Sequence, residues 1–364
     1  MSICKLLVVE DDEKDLRVCR DSIARYKDEK QREIDLVECK TVDEASLKLD
    51  NSFDDAIIDL KLADQGNEGD LVIKKIVDSY FRIPIAIFTG TPDSADMSFD
   101  YIGIFKKGET EYAELLDSFW GIHNTGLTRI MGGRGVIEKT LNDVFLNNLL
   151  PQKEKWVAYG KADSARTERA LLRHTLNHLL QLLDKDEDKF FPEEVYIYPL
   201  YPPIDTLRTG SIVKTKKDSP FFVVFNPACD LVVRSNGVFK TDRILLVEME
   251  SHKSIIDEAL VDITKKDKKQ NRLKMVFGNN HTDYYHWLPI TDFFEGGFLN
   301  FRKLTTLSKQ EFDERFDPPG IQISPSFAKD MVARFSSFYA RQGQPDIECD
   351  GIISHFIEPQ QESE

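Results

Sequence analysis

Short apolar runs alternate with amphipathic segments over residues 3–121. Most of the runs are continuously apolar at their centre, which is typical of strands buried on both faces of a parallel sheet. The segments between them carry apolar residues at three- and four-residue spacing, as amphipathic helices do. This alternation predicts an α/β domain with a doubly wound, five-stranded parallel sheet. The five predicted strands are KLLVVE, IDLVEC, DAIIDL, IPIAIFTG and YIGIF.

A different pattern follows. The stretch HNTGLTRIMGGRG predicts a linker, and the segments GVIEKTLNDVFLNNLL and ARTERALLRHTLNHLLQLLDK predict helices. From about Glu193, short apolar runs separated by Pro, Gly and Asn predict a small β-barrel or sandwich. These runs are EVYIYPL, GSIVKT, PFFVVFNPACDLV, RILLVEME and LKMVFG. A last amphipathic helix, SPSFAKDMVARFSSFYARQG, begins with a serine cap and ends at Gly343.

The length of 364 residues suits two domains better than one. We predict the α/β domain at residues 1–122 and a linker with a helical segment at residues 123–190. An α+β partner-binding domain follows at residues 191–358, and the polar tail at residues 359–364 is expected to be disordered.

Composition excludes some classes of function. The formal net charge of -15 argues against nucleic-acid binding, which requires Lys and Arg against phosphates. The 5 cysteines are odd in number and lack CxxC spacing, which indicates free thiols in a reducing compartment. No apolar run has the ~18 residues of a membrane span, and the N-terminal run is too short for a signal peptide. We expect a cytoplasmic protein that binds no membrane.

Unusual polar residues follow the apolar runs of the first domain. Glu10, Asp11 and Asp12 follow the first strand, and Asp59 follows the third. The fourth strand ends in Thr89, and the fifth in Lys106 and Lys107. Because the carboxyl ends of parallel strands meet at one edge of the sheet, these side chains are expected to converge. Clustered carboxylates repel one another unless a cation neutralises them, and Mg²⁺ prefers such oxygen ligands.

The segments LLVVEDD, AIIDLKL, IAIFTGT and GIFKKGE, in this order and spacing, resemble the receiver domain of two-component response regulators. The resemblance covers residues 3–121 and implies a flavodoxin-like fold. It implies Asp59 as the phosphoacceptor, with Thr89 and a lysine contacting the phosphoryl group. It also implies a Mg²⁺ site in which Asp11 is a direct ligand and Glu10 holds the ion through water, with Asp59 and the backbone carbonyl of Lys61 as further ligands. A sensor histidine kinase would donate the phosphate.

The family lysine is either Lys106 or Lys107, and we prefer Lys107 because Ile104 and Phe105 then remain the apolar strand residues before it. Gly108 follows where the family usually has proline, and the loop LKLADQGNEG is longer than usual. Two alternatives stay open. The acids can be incidental to a flavodoxin-like sheet, for example as helix caps, or the domain can be a degenerate receiver that accepts no phosphate.

The remaining chain offers weaker chemical candidates. His174 and His178 stand at i and i+4, as metal ligands on a helix do, but we prefer a surface or interface histidine pair on a leucine-rich helix, because the sequence shows no third ligand. Cys229 and Asp230 follow a hydrophobic strand, and a nucleophilic cysteine would need His281 or His286 as its partner. We prefer the alternative, a turn with a buried cysteine and an aspartate that bonds local backbone groups.

The C-terminal pattern, from GSIV to ARQGQP, is similar to the non-effector receiver protein of Detocs-type anti-phage defence systems. This resemblance implies a phosphate sink that shares its kinase with a second receiver protein carrying an effector. The alternative function is a hydrolase or nuclease in the C-terminal domain, controlled by phosphorylation of Asp59. The apolar face of residues 165–185 also allows a homo-oligomer.

Overall fold

A computed structural model of the protein describes residues 3–62, 66, 68–96, 103–183, 189–200, 207–216, 220–232, 239–341, 347–350 and 352–353. It divides into two compact units, Met1–Asp186 and Glu187–Glu364. Gly343, the predicted end of the last helix, and the predicted tail at residues 359–364 lie outside the described residues. None of the helices in the described part of the chain is long and apolar enough to cross a membrane.

The first unit contains a five-stranded sheet with the order β2-β1-β3-β4-β5, and every neighbouring pair is parallel. This confirms the doubly wound sheet predicted from the sequence. The strands are β1 (Cys4–Val9), β2 (Ile34–Cys39), β3 (Asp55–Ile58), β4 (Ile85–Thr89) and β5 (Gly103–Lys106). The helices of this part are α1 (Glu13–Lys30), α2 (Val42–Lys48), α3 (Glu68–Asp78) and α4 (Tyr112–Thr125).

Strand β1 explains why the sheet is covered on both faces. Leu6 and Val8 belong to the apolar core formed with α1 and α4. The intervening residues, Leu7 and Val9, belong to the core formed with α2 and α3. Successive side chains of a strand point to opposite faces, so a continuously apolar run is buried only between two helical layers. The carboxyl ends of the strands then remain open at one edge of the sheet.

Helices follow the parallel sheet. They are α5 (Leu127–Met131), α6 (Val136–Val144), α7 (Lys153–Ala162) and α8 (Ser164–Leu180). The segment predicted as a linker therefore contains the end of α4 and all of α5. A π-helical turn, Phe145–Leu149, directly follows α6, so the predicted helix is regular only in its first part. A proline at position 151 cannot donate the next backbone hydrogen bond, which favours the break.

The second unit contains one seven-stranded antiparallel sheet with the order β10-β11-β9-β8-β7-β12-β6, curled into a half-barrel. This agrees with the predicted α+β class. The strands are β6 (Tyr196–Ile197), β7 (Ser211–Lys214), β8 (Phe221–Val224), β9 (Ile244–Glu250), β10 (Tyr285–Leu288), β11 (Gly297–Leu307) and β12 (Ile321–Ile323). The helices are α9 (His252–Leu260), α10 (Lys266–Phe277), α11 (Lys309–Arg315) and α12 (Pro325–Ala340).

The run LKMVFG, which the sequence pattern placed among the strands, lies in helix α10 and the residue after it. That strand prediction is wrong. A short apolar run does not distinguish a strand from one face of a helix. Here Val276 is buried in a cluster with Ile255 and Ala259 of α9, so packing against a second helix decides the conformation.

Candidate functional site

The acids that follow β1 have three different positions. The backbone N–H of Glu10 donates to Cys39 O at 2.9 Å and continues the strand pairing, so its side chain is buried (2% exposed). Asp12 caps α1, because its carboxylate accepts a hydrogen bond from the Lys14 backbone N–H at 2.7 Å. Asp11, between them, is exposed. Of Asp11 and Asp12, the two acids that could cap the helix, it is Asp12 that does so.

Asp59 lies directly beyond β3 and is also buried (6% exposed). Its backbone N–H donates to Val9 O at 2.9 Å, and its Oδ1 accepts from the Lys61 backbone N–H at 3.2 Å. Gly69, in the first turn of α3, lies against this strand end, since an added Cβ would be 2.2 Å from the backbone oxygen of Asp59. The sequence pattern did not reveal this contact. It allows α3 to approach the segment that carries the carboxylate.

Lys107 reaches into the cluster of acids. Its Nζ lies 2.5 Å from Glu10 Oε2, 2.7 Å from Asp59 Oδ2 and 2.8 Å from Asp15 Oδ2. Lys106, by contrast, is exposed and pairs with Glu109 on the surface. The structure thus brings Lys107, the preferred of the two lysines, to Asp59.

Sequence reasoning missed Asp15, which stands in the first turn of α1. The signal that was available is its position four residues after Asp11, one helical turn from the strand end.

Burial raises the pKa of the Glu10 carboxyl to about 7, although the hydrogen bond from Lys107 acts in the opposite direction. Burial also disfavours the charged form of Lys107, but its bonds to Asp15, Asp59 and Glu10 outweigh that effect and raise its pKa. The ammonium of Lys107 is therefore held protonated between carboxylates. Two buried acids beside one cation leave an excess of negative charge, which a second cation would offset.

The same residues line an open cleft of about 590 Å³ at the carboxyl edge of the parallel sheet. Thr89, at the end of β4, is fully buried as a residue and still contributes to the lining. Its Oγ1 accepts a hydrogen bond from the Thr91 backbone N–H at 3.4 Å. Lys61 also lines the cleft. All six site residues predicted from the sequence thus border one space.

The donor atoms fit a divalent cation. One oxygen from each of Glu10, Asp11 and Asp59 lies within 4.8 Å of the other two. Oxygen ligands around Mg²⁺, at bonds of about 2.0–2.1 Å, are separated by about 3 Å when adjacent and about 4 Å when opposite. The three carboxylates are therefore close enough to one another to hold a single ion together. The carbonyl of Lys61 as a further ligand stays a prediction.

Two departures from the receiver pattern concern the loops around this cleft. Gly108 stands in place of the family proline. Its φ of +83° lies in the left-handed region, which a proline at this position could not adopt. Residues 63–65 and 67 of the long loop after Asp59 lie outside the described residues.

The N-terminal third of the chain matches receiver domains of response regulators in structure. A signal receiver domain of a putative Luxo repressor protein from Vibrio parahaemolyticus is 19% identical, at a TM-score of 0.27, over 34% of this chain and 92% of that one. A LuxR-family DNA-binding response regulator from Staphylococcus aureus is 20% identical, at 0.27, over 33% and 99%.

A response regulator receiver protein from Pseudoalteromonas atlantica is 13% identical, at a TM-score of 0.27, over 34% of this chain and 98% of that one. No protein-family model matches the chain, and no curated protein does. The chemical assignment of the cleft therefore depends on its own geometry.

The candidates outside the first domain have different outcomes. His174 and His178 are brought together, with their Nε2 atoms 3.3 Å apart. Cys229 lies in a turn, as predicted, but it is exposed, so the prediction of a buried cysteine is wrong; its thiol lies 3.7 Å from Asp230 Oδ1. Among the described residues, no hydrogen bond joins Cys229 to His281 or His286. Burial lowers the pKa of His286 to about 3, so its ring is neutral and enclosed rather than placed to activate a thiol.

Proposed function

We propose that this chain is a phosphoacceptor of a histidine–aspartate relay and that Asp59 receives the phosphoryl group. The observation that carries the proposal is the convergence of the Lys107 ammonium with the carboxylates of Glu10, Asp11 and Asp59 in one cleft. A carboxylate placed between a lysine and a divalent-cation site can act as a nucleophile toward a bound phosphoryl group.

Each residue then has a defined task. A carboxylate oxygen of Asp59 forms a bond to phosphorus while the bond from phosphorus to the donor imidazole nitrogen breaks. The imidazole leaves as a neutral ring after taking up a proton, and the product is an aspartyl phosphate. Lys107 pairs with a phosphoryl oxygen, and Thr89 contributes a hydroxyl from the end of β4. When bound by Glu10 and Asp11, Mg²⁺ would neutralise charge on the transferring oxygens.

Phosphorylation replaces the single negative charge of the Asp59 carboxylate with about two on the phosphoryl group, so the carboxyl edge of the sheet gains about one negative charge. Lys107 then exchanges carboxylate partners for phosphoryl oxygens, and Thr89 can turn toward the phosphate. Such a local change of charge can bias the neighbouring strands β4 and β5 toward a second arrangement.

The test is phosphoryl transfer to the full chain from acetyl phosphate or from a phosphorylated sensor kinase, with and without Mg²⁺. Intact mass should increase by one phosphate only when Mg²⁺ is present. Asp59→Asn should abolish this labelling. Asp35→Asn, which changes an exposed carboxylate on β2 of the same sheet, should leave it unchanged. Absence of labelling by a cognate kinase would identify the domain as a degenerate receiver.

The narrower role of a phosphate sink, which restrains a second receiver protein with an effector in anti-phage defence, is supported by sequence resemblance alone. It predicts that the unmodified chain, mixed with kinase and second receiver, lowers phosphate on the second receiver. Asp59→Asn should remove this competition.

The enzyme alternative predicts instead that a hydrolase or nuclease activity disappears in Cys229→Ala, Asp230→Ala or His281→Ala. A C-terminal domain that binds a partner or a second copy predicts no loss of transfer to Asp59 in these variants.

A further inference from the structure

Helix α8 carries two histidines whose donor atoms meet a third donor from another segment. His174 and His178 are one helical turn apart, and their Nε2 atoms are 3.3 Å from each other. Asn148 Oδ1 lies 2.7 Å from His174 Nε2. All three residues are half-buried and belong to the first unit. This cluster is separate in composition and position along the chain from the acidic cleft.

Only one of the two short contacts of His174 Nε2 can be a linear hydrogen bond at a time. A neutral imidazole Nε2 carries either one proton or one lone pair. If His174 Nε2 carries a proton, that proton can point at Asn148 Oδ1 or at His178 Nε2, but not linearly at both. If both rings are protonated at Nε2, two N–H groups oppose each other at 3.3 Å. A cation between the three atoms would instead accept a lone pair from each of them.

The two separations made by His174 Nε2 are compatible with such a cation. Metal–nitrogen bonds of about 2.0–2.1 Å place adjacent ligand atoms about 3.3 Å apart in a tetrahedron and about 3.0 Å apart in an octahedron. The observed separations of 3.3 and 2.7 Å lie on either side of the octahedral value. Two imidazoles select borderline metals such as zinc over magnesium, which prefers oxygen.

Local structure supports the third ligand. Asn148 lies in the π-helical turn Phe145–Leu149, an uncommon conformation that occurs frequently at functional sites. The aromatic ring of Trp156, in α7, lies 6.0 Å from the ring of His174. The chain therefore contains a built-in fluorescent reporter beside the cluster.

We propose that His174, His178 and Asn148 bind a zinc-class divalent metal ion, with water completing the coordination. The ion would join α8 to the turn after α6. The proposal is independent of phosphoryl transfer to Asp59, and a chain with an inactive cleft would still bind the metal here.

The test is calorimetric titration of the full chain with Zn²⁺ in excess Mg²⁺, which competes with Zn²⁺ for the carboxylates of the acidic cleft. Cys229→Ser and Cys349→Ser in all samples remove the two exposed thiols, which also bind zinc. We expect one Zn²⁺ per chain. His178→Gln retains a hydrogen-bonding side chain but loses the imidazole, and should bind at least about tenfold more weakly. His281→Gln, which removes a histidine from the second unit, should bind like the parent.

A second readout does not depend on the folding of a histidine variant. Cu²⁺ titration of the parent should quench tryptophan fluorescence at one equivalent, and Trp156→Phe should lose this quenching while retaining its zinc affinity. Asn148→Ala should weaken zinc binding by about tenfold. No saturable binding by the parent, or equal affinity of the parent, His178→Gln and Asn148→Ala, would overturn the proposal and leave an ordinary hydrogen-bonded histidine pair.

Discussion

Lys107 bridges three carboxylates in the cleft, so Lys107→Met should destabilise the chain when Mg²⁺ is absent. Methionine retains much of the apolar stem but removes the ammonium. Two of the bridged groups, Glu10 and Asp59, have side chains only 3% and 8% exposed. They would remain as buried negative charges without their cation.

The structure sets the magnitude. Breaking a buried ion pair by removing one partner typically costs about 3–5 kcal/mol. Because Lys107 keeps 20% of its side chain exposed, we expect the lower end, about 3 kcal/mol at pH 8. For a unit of 186 residues, this corresponds to a decrease in Tm of about 6–12 °C. The loss should be smaller at pH 6, where Glu10, whose pKa is already raised to about 7, can take up a proton.

Urea denaturation followed by circular dichroism, in EDTA and then in excess Mg²⁺, measures both parts of the prediction. Mg²⁺ should raise the stability of Lys107→Met more than that of the parent, since the ion no longer competes with the ammonium. Lys106→Met is the matched control, and its exposed pair with Glu109 should contribute less than about 1 kcal/mol. Equal stability of the two variants at pH 8 would refute the assignment of Lys107 as the buried counter-ion.

Two further perturbations test how the sheet is built. Gly69→Ala should lower the free energy of unfolding by about 1–3 kcal/mol in urea denaturation and slow labelling of Asp59, because the added Cβ would collide with backbone atoms. Gly121→Ala, which places its Cβ in open space on α4, is the control and should be neutral or stabilising. A greater loss of stability in Gly121→Ala than in Gly69→Ala would contradict the close contact at Gly69. Asp55 is fully buried, which raises its pKa from 3.8 to about 7, so the folded chain binds more protons than the unfolded chain between these values. Its stability should fall by up to about 1.4 kcal/mol per pH unit as pH rises through that window, and then level off. Asp55→Asn should lack this part of the slope in pH-dependent denaturation, and an unchanged slope would exclude Asp55 as its source.

The sequence alone determined the parallel sheet and the residue types at its open edge. Continuously apolar runs can be buried on both sides only between two helical layers, and strands that run parallel bring their carboxyl ends together. The sequence alone therefore assigns Glu10, Asp59 and Thr89 to the same edge of the sheet. These residues converge because the strands run in the same direction, and the alternation of strands and helices in the sequence predicts that direction well.

Tertiary structure decided which side chains complete the cleft. Lys106 and Lys107 are adjacent in sequence. The end of β5 and the turn at Gly108 place the side chain of Lys107, and not that of Lys106, beside Asp59. Asp15 reaches the same ammonium because α1 begins at the strand end. Such contacts depend on distances between elements, which local periodicity does not contain.

The second unit shows the same limit more strongly. Strand β12 lies between β6 and β7, although more than a hundred residues separate Gln322 from its hydrogen-bond partner Ser211. The segment around Val276 is helical because it packs against the apolar side chains of α9. The sequence specified short apolar segments and the Pro, Gly and Asn residues that separate them. Long-range pairing decided which segments became strands and in what order they lie in the sheet, because the free energy of burial depends on the partner surface.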